Sequence, residues 1–224
     1  MVFGLSGFRK NFVILAAFCG VLAYAQRNLP VSVEEVEFNY ARAAGIDDSF
    51  LEVAIELRAN RTDATPPGDY YPRVELHLEM ATEANRLGGV KVMEYYRSKV
   101  RMAALEADED YTVFFYLAPE IVERDNLRAE EPVGWRVLLT VDGRALPNVE
   151  GTFGENLAEP ALARSFLAQI QQQAPRNDGL LQPIYLTPFA DREAGRRDDS
   201  PPYVREEPLP ESVTGGQDLP LEDE

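Results

Sequence analysis

The chain has 224 residues, 45% hydrophobic and 27% charged, with 38 acidic residues against 22 basic ones. Only Arg9 and Lys10 are charged within the first 25 positions, so a net charge of about −18 is carried by the rest. Such a field repels a phosphate backbone, and with no basic stripe evident nucleic acid is excluded as a partner. The single cysteine, Cys19, excludes a disulfide framework.

The first segment carries export information. Arg9 and Lys10 form a short positive region, residues 11–22 an apolar run, and Ala23-Tyr24-Ala25 a small-x-small site. That order predicts a secretory signal over residues 1–25, cut after Ala25. A retained anchor is the alternative, although a helix rising ~1.5 Å per residue needs about 20 apolar residues to span a bilayer. Cys19 fits a lipoprotein signal poorly, because Phe18 stands before it where a small residue is usual. Cleavage after Ala25 leaves a mature chain without cysteine, placed in the periplasm or at the cell surface.

Residues 26–189 are expected to form one domain. In residues 31–40 the apolar parity changes from Val31 and Val33 to Val36, Phe38 and Tyr40, which predicts a β-bulge near Glu34-Glu35. Asp47-Asp48 is the expected turn into a second strand, where Leu51, Val53, Ile55 and Leu57 face inward and Glu52, Glu56 and Arg58 outward. Residues 60–72 hold three prolines and a glycine and read as a long surface loop. A third strand points Val74, Leu76, Leu78 and Met80 inward and Arg73, Glu75, His77 and Glu79 outward. Gly88-Gly89 breaks the chain before residues 90–105, where Val90, Val92, Tyr95, Tyr96 and Val100 favour a strand over a helix.

Residues 111–117 are apolar or aromatic on both parities, as in a strand covered on both faces. Pro119 ends that strand, and residues 120–127 suit a short helical turn. Trp135, Val137, Leu139 and Val141 share one face of the next strand. Asp142-Gly143 closes it as a tight hairpin turn into a weaker return over residues 144–153. Pro160 opens a helix that presents Leu162, Phe166, Leu167 and Ile170. After Asp178-Gly179, residues 180–189 read as a last extended piece docked by Leu181, Ile184, Tyr185 and Leu186. Six or seven strands with a late helix predict a mainly β fold, an antiparallel immunoglobulin-like sandwich. Residues 190–224, with five prolines and 11 acidic residues, are expected to be a disordered tail, either inert or a tether.

Few residues offer chemistry. His77, the only histidine, stands between Glu75 and Glu79 as a weak metal set, and a solvated strand face explains it better. The run Glu106-Ala107-Asp108-Glu109-Asp110 could offer oxygens to calcium, but it lacks a glycine-bearing calcium loop and reads as an acidic turn. Tyr70, Tyr71 and Tyr95 could form an aromatic platform for a glycan. A glycosidase-like carboxylate pair is a further alternative that spacing does not single out. Gly88-Gly89 and Gly215-Gly216 have no phosphate-loop context, and no cofactor, metal or catalytic residue is expected. Asn60-Arg61-Thr62 is a glycosylation sequon with meaning only in a eukaryotic host.

Taken together, the signal, Val33-Glu34-Glu35-Val36-Glu37-Phe38, Leu51-Glu52-Val53-Ala54-Ile55-Glu56-Leu57, residues 111–125 and residues 135–143 form a recognisable outline. This outline resembles the pilus-associated, immunoglobulin-like envelope proteins of Akkermansia and other Verrucomicrobia, over residues 31–189. The resemblance implies a non-enzymatic role near a type IV pilus-like apparatus, with envelope or pilus proteins as partners. It assigns no functional residue.

Overall fold

The computed structural model describes residues 29–86, 89–127, 132–149, 151–190 and 200–204. The expected signal, with its cleavage site at Ala25, and most of the expected tail lie outside them. The described residues form an immunoglobulin-like sandwich of two antiparallel four-stranded sheets. The first sheet orders β1 (Val31–Ala41), β2 (Phe50–Ala59), β5 (Asp110–Leu117) and β8 (Leu181–Pro183). The second orders β4 (Val90–Glu106), β3 (Tyr70–Arg86), β6 (Gly134–Val141) and β7 (Arg144–Ala145). In immunoglobulin terms β1, β2 and β5 occupy positions A, B and E, and β4, β3, β6 and β7 positions C′, C, F and G.

Period-two alternation builds the core. Val53, Ile55 and Leu57 of β2 are wholly buried and face Val74, Leu76, Leu78 and Met80 of β3, with Val113, Phe115 and Leu117 of β5 beside them. The bulge falls on Glu34: Val33 pairs with Leu57 and Glu35 with Glu56, so one residue is unpaired and the faces exchange. The hairpin from β6 turns on Asp142 and Gly143, both at positive φ (51° and 76°), as a two-residue turn of this hand requires. Residues 90–105 are strand, because Tyr96, Val100 and Met102 alternate into the core opposite β3.

Helix α1 (Pro119–Asp125) bridges the sheets between β5 and β6. Pro119 suits its first turn, and Asn126 at φ 47° ends it in a left-handed cap. Helix α2 (Pro160–Gln173) lies on the outer face of the second sheet, burying Phe166 and Ile170 against Ala81 and Tyr95. No helix among the described residues is long and apolar enough to cross a membrane.

Several expectations need correction. The turn between β1 and β2 forms at Ala44-Gly45, where Gly45 supplies φ 78°, and not at Asp47-Asp48. The loop after β2 ends at Asp69, because β3 already begins at Tyr70 and pairs Pro72 with Ala104. Leu162 is half exposed, since only one stripe of α2 meets the sheet. The return after the β6 turn keeps strand pairing for two residues and then a single bridge from Phe153 to Arg136. Residues 180–189 are extended only over β8; a 3₁₀ turn, Ile184–Leu186, follows and turns Leu186 outward. Within the expected tail, residues 201–204 are folded onto β4: Ala103 N–H donates to Pro202 O at 2.8 Å and Val204 N–H to Arg101 O at 2.7 Å.

Candidate functional site

β3 and β4 pair over seventeen residues each, and their outward positions face one another in register. Glu75 stands opposite Arg101, His77 opposite Lys99, and Glu79 opposite Arg97. The stripe Arg97, Lys99 and Arg101 is a local basic row that sequence reading missed. It was legible as charge at every second position of a segment already read as strand. Acidic partners tie down two of its three cations, Arg97 and Arg101.

Arg101 Nε donates to Glu75 at 2.7 Å, and Arg97 makes a two-pronged contact with Asp178 at 2.8 Å for each bond. From β6, Arg136 reaches Glu79 at 2.5 and 3.0 Å, and this pair is the most enclosed on the face. Bidentate geometry makes such pairs stiff as well as favourable. The Arg101 hydrogen bond holds the Glu75 carboxyl below the usual carboxylate range, and Arg97 does the same to Asp178.

Beside this row runs a groove of about 540 Å³, floored by the edge of β4 at Arg97, Ser98 and Lys99 and walled by Asp178, Gln182, Pro183, Tyr185 and Leu186. On either side of residues 97–99 along β4, the chain makes its own contacts. At one end Asn177 Nδ2 donates to Tyr95 O at 3.0 Å. At the other, Tyr203 bridges to Met102 and packs its ring 5.4 Å from that of Tyr185. A flat, edge-bounded groove of this kind suits an extended peptide, whose backbone completes the sheet while side chains select.

The residues singled out from sequence are scattered. Tyr70 is half exposed at the start of β3 and donates its hydroxyl to Glu106 at 3.1 Å. Tyr71 is buried in the core and donates to Asn60 O at 2.6 Å. Tyr95 is buried under α2, at the far end of the β3–β4 ribbon. The three rings therefore share no platform. His77 Nε2 lies 3.7 Å from Glu75 on the outer face, and no group of three or more metal-ligating side chains occurs among the described residues. The acidic run forms the β4–β5 turn. Arg61 donates to Asp108 at 2.7 Å and to Asp69 at 2.6 Å, while Arg58 clamps Asp110 at 2.8 and 2.9 Å. The arginines thus engage two of the run's four carboxylates, Asp108 and Asp110.

One buried polar cluster also escaped the sequence reading. Asp125, at the end of α1, is fully buried and accepts a hydrogen bond from Tyr96 Oη of β4 at 2.9 Å, with Arg124 at 2.5 and 2.8 Å. Burial, then the Asp125 charge, pushes the Tyr96 hydroxyl well above its ordinary range. This cluster pins α1 to the second sheet.

No protein-family model and no curated protein sequence matches the chain. Among solved structures the chain is similar to the crystal structure of a protein from Akkermansia muciniphila, at 15% identity and a TM-score of 0.57, over 79% of this chain and 93% of that one. At that identity the likeness speaks for the fold.

Proposed function

We propose that this protein is an exported, non-enzymatic component of the cell envelope that binds other proteins through its sheet edges and outer faces. The observation that carries the reading is the strand addition at β4, where residues 202–204 bind to a sheet edge through main-chain hydrogen bonds of 2.7 and 2.8 Å. The scaffold is thus built to hold extended chain at an edge. Among the described residues, β1 is the other long edge strand, and it presents Glu34, Glu35, Glu37, Asn39 and Tyr40 to solvent. Its charges and its bulge discourage indiscriminate pairing and favour a partner with complementary basic side chains.

The pilus assignment rests on the sequence resemblance, and a structural neighbour from Akkermansia muciniphila is in keeping with it. The partner class is then a structural or assembly protein of a type IV pilus-like apparatus, met in the periplasm or at the surface after removal of residues 1–25. The test is affinity capture from the native envelope with the full chain and with an E35K/E37K variant. Recovery of pilus or secretion components by the first and their loss with the second is the expected result. Recovery unchanged by the substitutions overturns the β1 edge, and recovery of glycans alone overturns the protein-binding role.

A further inference from the structure

We propose that a second groove, between β1 and residues 151–158 at the sandwich edge away from β4, takes an extended partner segment whose residues alternate apolar and basic. The inference rests on the reading of β1 as the edge that meets a partner, and it names the chemistry of what is met there. The groove measures about 750 Å³. Glu34, Glu35 and Val36 form its β1 wall, and Gly151, Phe153 and Glu155 stand on the other side. β6 carries that other side, since Gly154 N–H donates to Trp135 O at 3.0 Å and Val137 N–H to Thr152 O at 2.7 Å. Trp135 ties the walls together: it lines the groove, and its ring lies 6.3 Å from that of Phe38 on β1.

Backbone parity then decides which hydrogen bonds β1 can offer. Ala59 of β2 gives its N–H to Glu109 O at 3.0 Å and accepts at its carbonyl from Asp108 N–H at 2.6 Å. The odd residues of β2 therefore bond toward β5 and the even ones toward β1. Past the bulge, those even residues meet Glu35, Glu37 and Asn39, paired with Glu56, Ala54 and Glu52. Val36, Phe38 and Tyr40 are left with N–H and C=O groups directed away from β2. β1 is an edge, so no described strand meets these groups. An added strand runs along them, and the bulge at Glu34 limits how far its ladder extends.

Side chains set the selection. Residues of the added strand that share the face of Val36 and Phe38 look toward Trp135 and Phe153, an apolar lining. The residues between them share the face of Glu35 and Glu37, both exposed, where a basic side chain makes an attractive cross-strand pair. Glu155 adds a further exposed carboxylate from the far wall. Charge here has one sign: among the described residues no arginine or lysine lines the groove or pairs with Glu34, Glu35 or Glu155. Elsewhere the chain neutralises its own carboxylates, Arg101 meeting Glu75, Arg136 meeting Glu79 and Arg97 meeting Asp178. The cations absent from this groove are those a complementary partner brings.

Trp135, the only tryptophan, reports occupancy directly. The probe is an acetylated and amidated heptapeptide alternating valine and arginine, titrated into the full chain at low salt. A saturable change in Trp135 emission is expected, with slowed amide exchange at Val36 and Phe38 by NMR. A peptide of the same composition with its arginines in one block should bind several-fold more weakly, and one with glutamate in place of arginine should not bind. Glu155→Lys lies off β1, so a several-fold weakening in that variant separates a partner seated in the groove from one lying on the bare edge. Glu155→Gln is the milder companion, and the melting temperature of each is the folding control. Equal binding of the alternating and blocked peptides overturns the proposal, as does protection of Val36 and Phe38 with Trp135 unmoved or with E155K without effect. No peptide binding, while E35K/E37K still abolishes envelope capture, overturns this inference and leaves the β1 reading standing. Peptide binding with capture indifferent to E35K/E37K overturns that reading and supports the groove's chemistry.

Discussion

Asp125 offers the sharpest test of how the sandwich is held together. Its carboxylate is fully buried, takes the Tyr96 hydroxyl at 2.9 Å, and meets Arg124, whose side chain keeps 43% of its surface in water. In Asp125→Ala the arginine rehydrates at little cost. Tyr96 does not, because it is wholly buried. An orphaned buried hydroxyl costs about 1–3 kcal/mol, and the vacated carboxyl volume adds to that. A loss of ~3 kcal/mol is expected, or roughly 6–12 °C in Tm at ~2–4 °C per kcal/mol for a domain of this size. Tyr96→Phe removes a donor to a charged acceptor and should cost ~1.5–3 kcal/mol. The double variant leaves neither partner orphaned, so its loss should fall short of the sum by ~1–2 kcal/mol. Urea unfolding followed by the emission of Trp135, the only tryptophan and 7% exposed, reports all three variants. Additivity within ~0.3 kcal/mol would refute the view that this hydrogen bond links α1 to β4.

Three other outcomes follow from the same geometry. Glu75, Asp108 and Asp178 titrate below their ordinary values because of Arg101, Arg61 and Arg97 respectively. Their stabilising effect is present above the unfolded carboxylate range of about 4 and is lost as pH falls through the lower folded values; Tm measured against pH should drop on the acid side, and less steeply in R97Q. Millimolar calcium should leave Tm unchanged, because arginines clamp Asp108 and Asp110 in the β4–β5 turn; a rise of several degrees would show that the ion displaces them. Gly143→Ala should cost ~1–2 kcal/mol, the penalty for a side chain in the left-handed region, because φ is 76° and the added Cβ meets nothing within 4 Å; a Tm within a degree of the parent would show that the turn tolerates it.

Strands with one wet face were legible because alternation states both the element and its orientation. The residues 51–57 and 74–80 are of this kind, and the bulge at Glu34 could be placed from a change of parity alone. The Asp142-Gly143 hairpin was legible because its φ values admit few residue types. Legibility failed where a neighbour decides the outcome. Tyr95 reads as a surface ring until α2 covers it, and Tyr71 until the loop oxygen of Asn60 accepts its hydroxyl. Leu162 and Leu186 keep helical or extended spacing yet stay wet, since spacing does not say how wide the contact is. The candidate groove was least legible of all. Its floor lies on β4 and its walls come from residues 178–186, a juxtaposition that no local pattern encodes.

The placement of residues 200–204 changes how the acidic tail is to be understood. Composition alone predicts no order there, since prolines and charges bury little apolar area. Yet a strand edge asks little of side chains; it needs extended backbone and one or two anchors. Pro201 is buried and Tyr203 packs on Tyr185, which supplies those anchors, and prolines keep the segment extended before it binds. Covering β4 in this way also removes an aggregation-prone edge. β7 and β8 are two and three residues long, too short to template another chain. Among the described strands, β1 is then the one long edge left open. A fold that blunts three of its four described edges and guards the fourth with glutamates admits few strand partners.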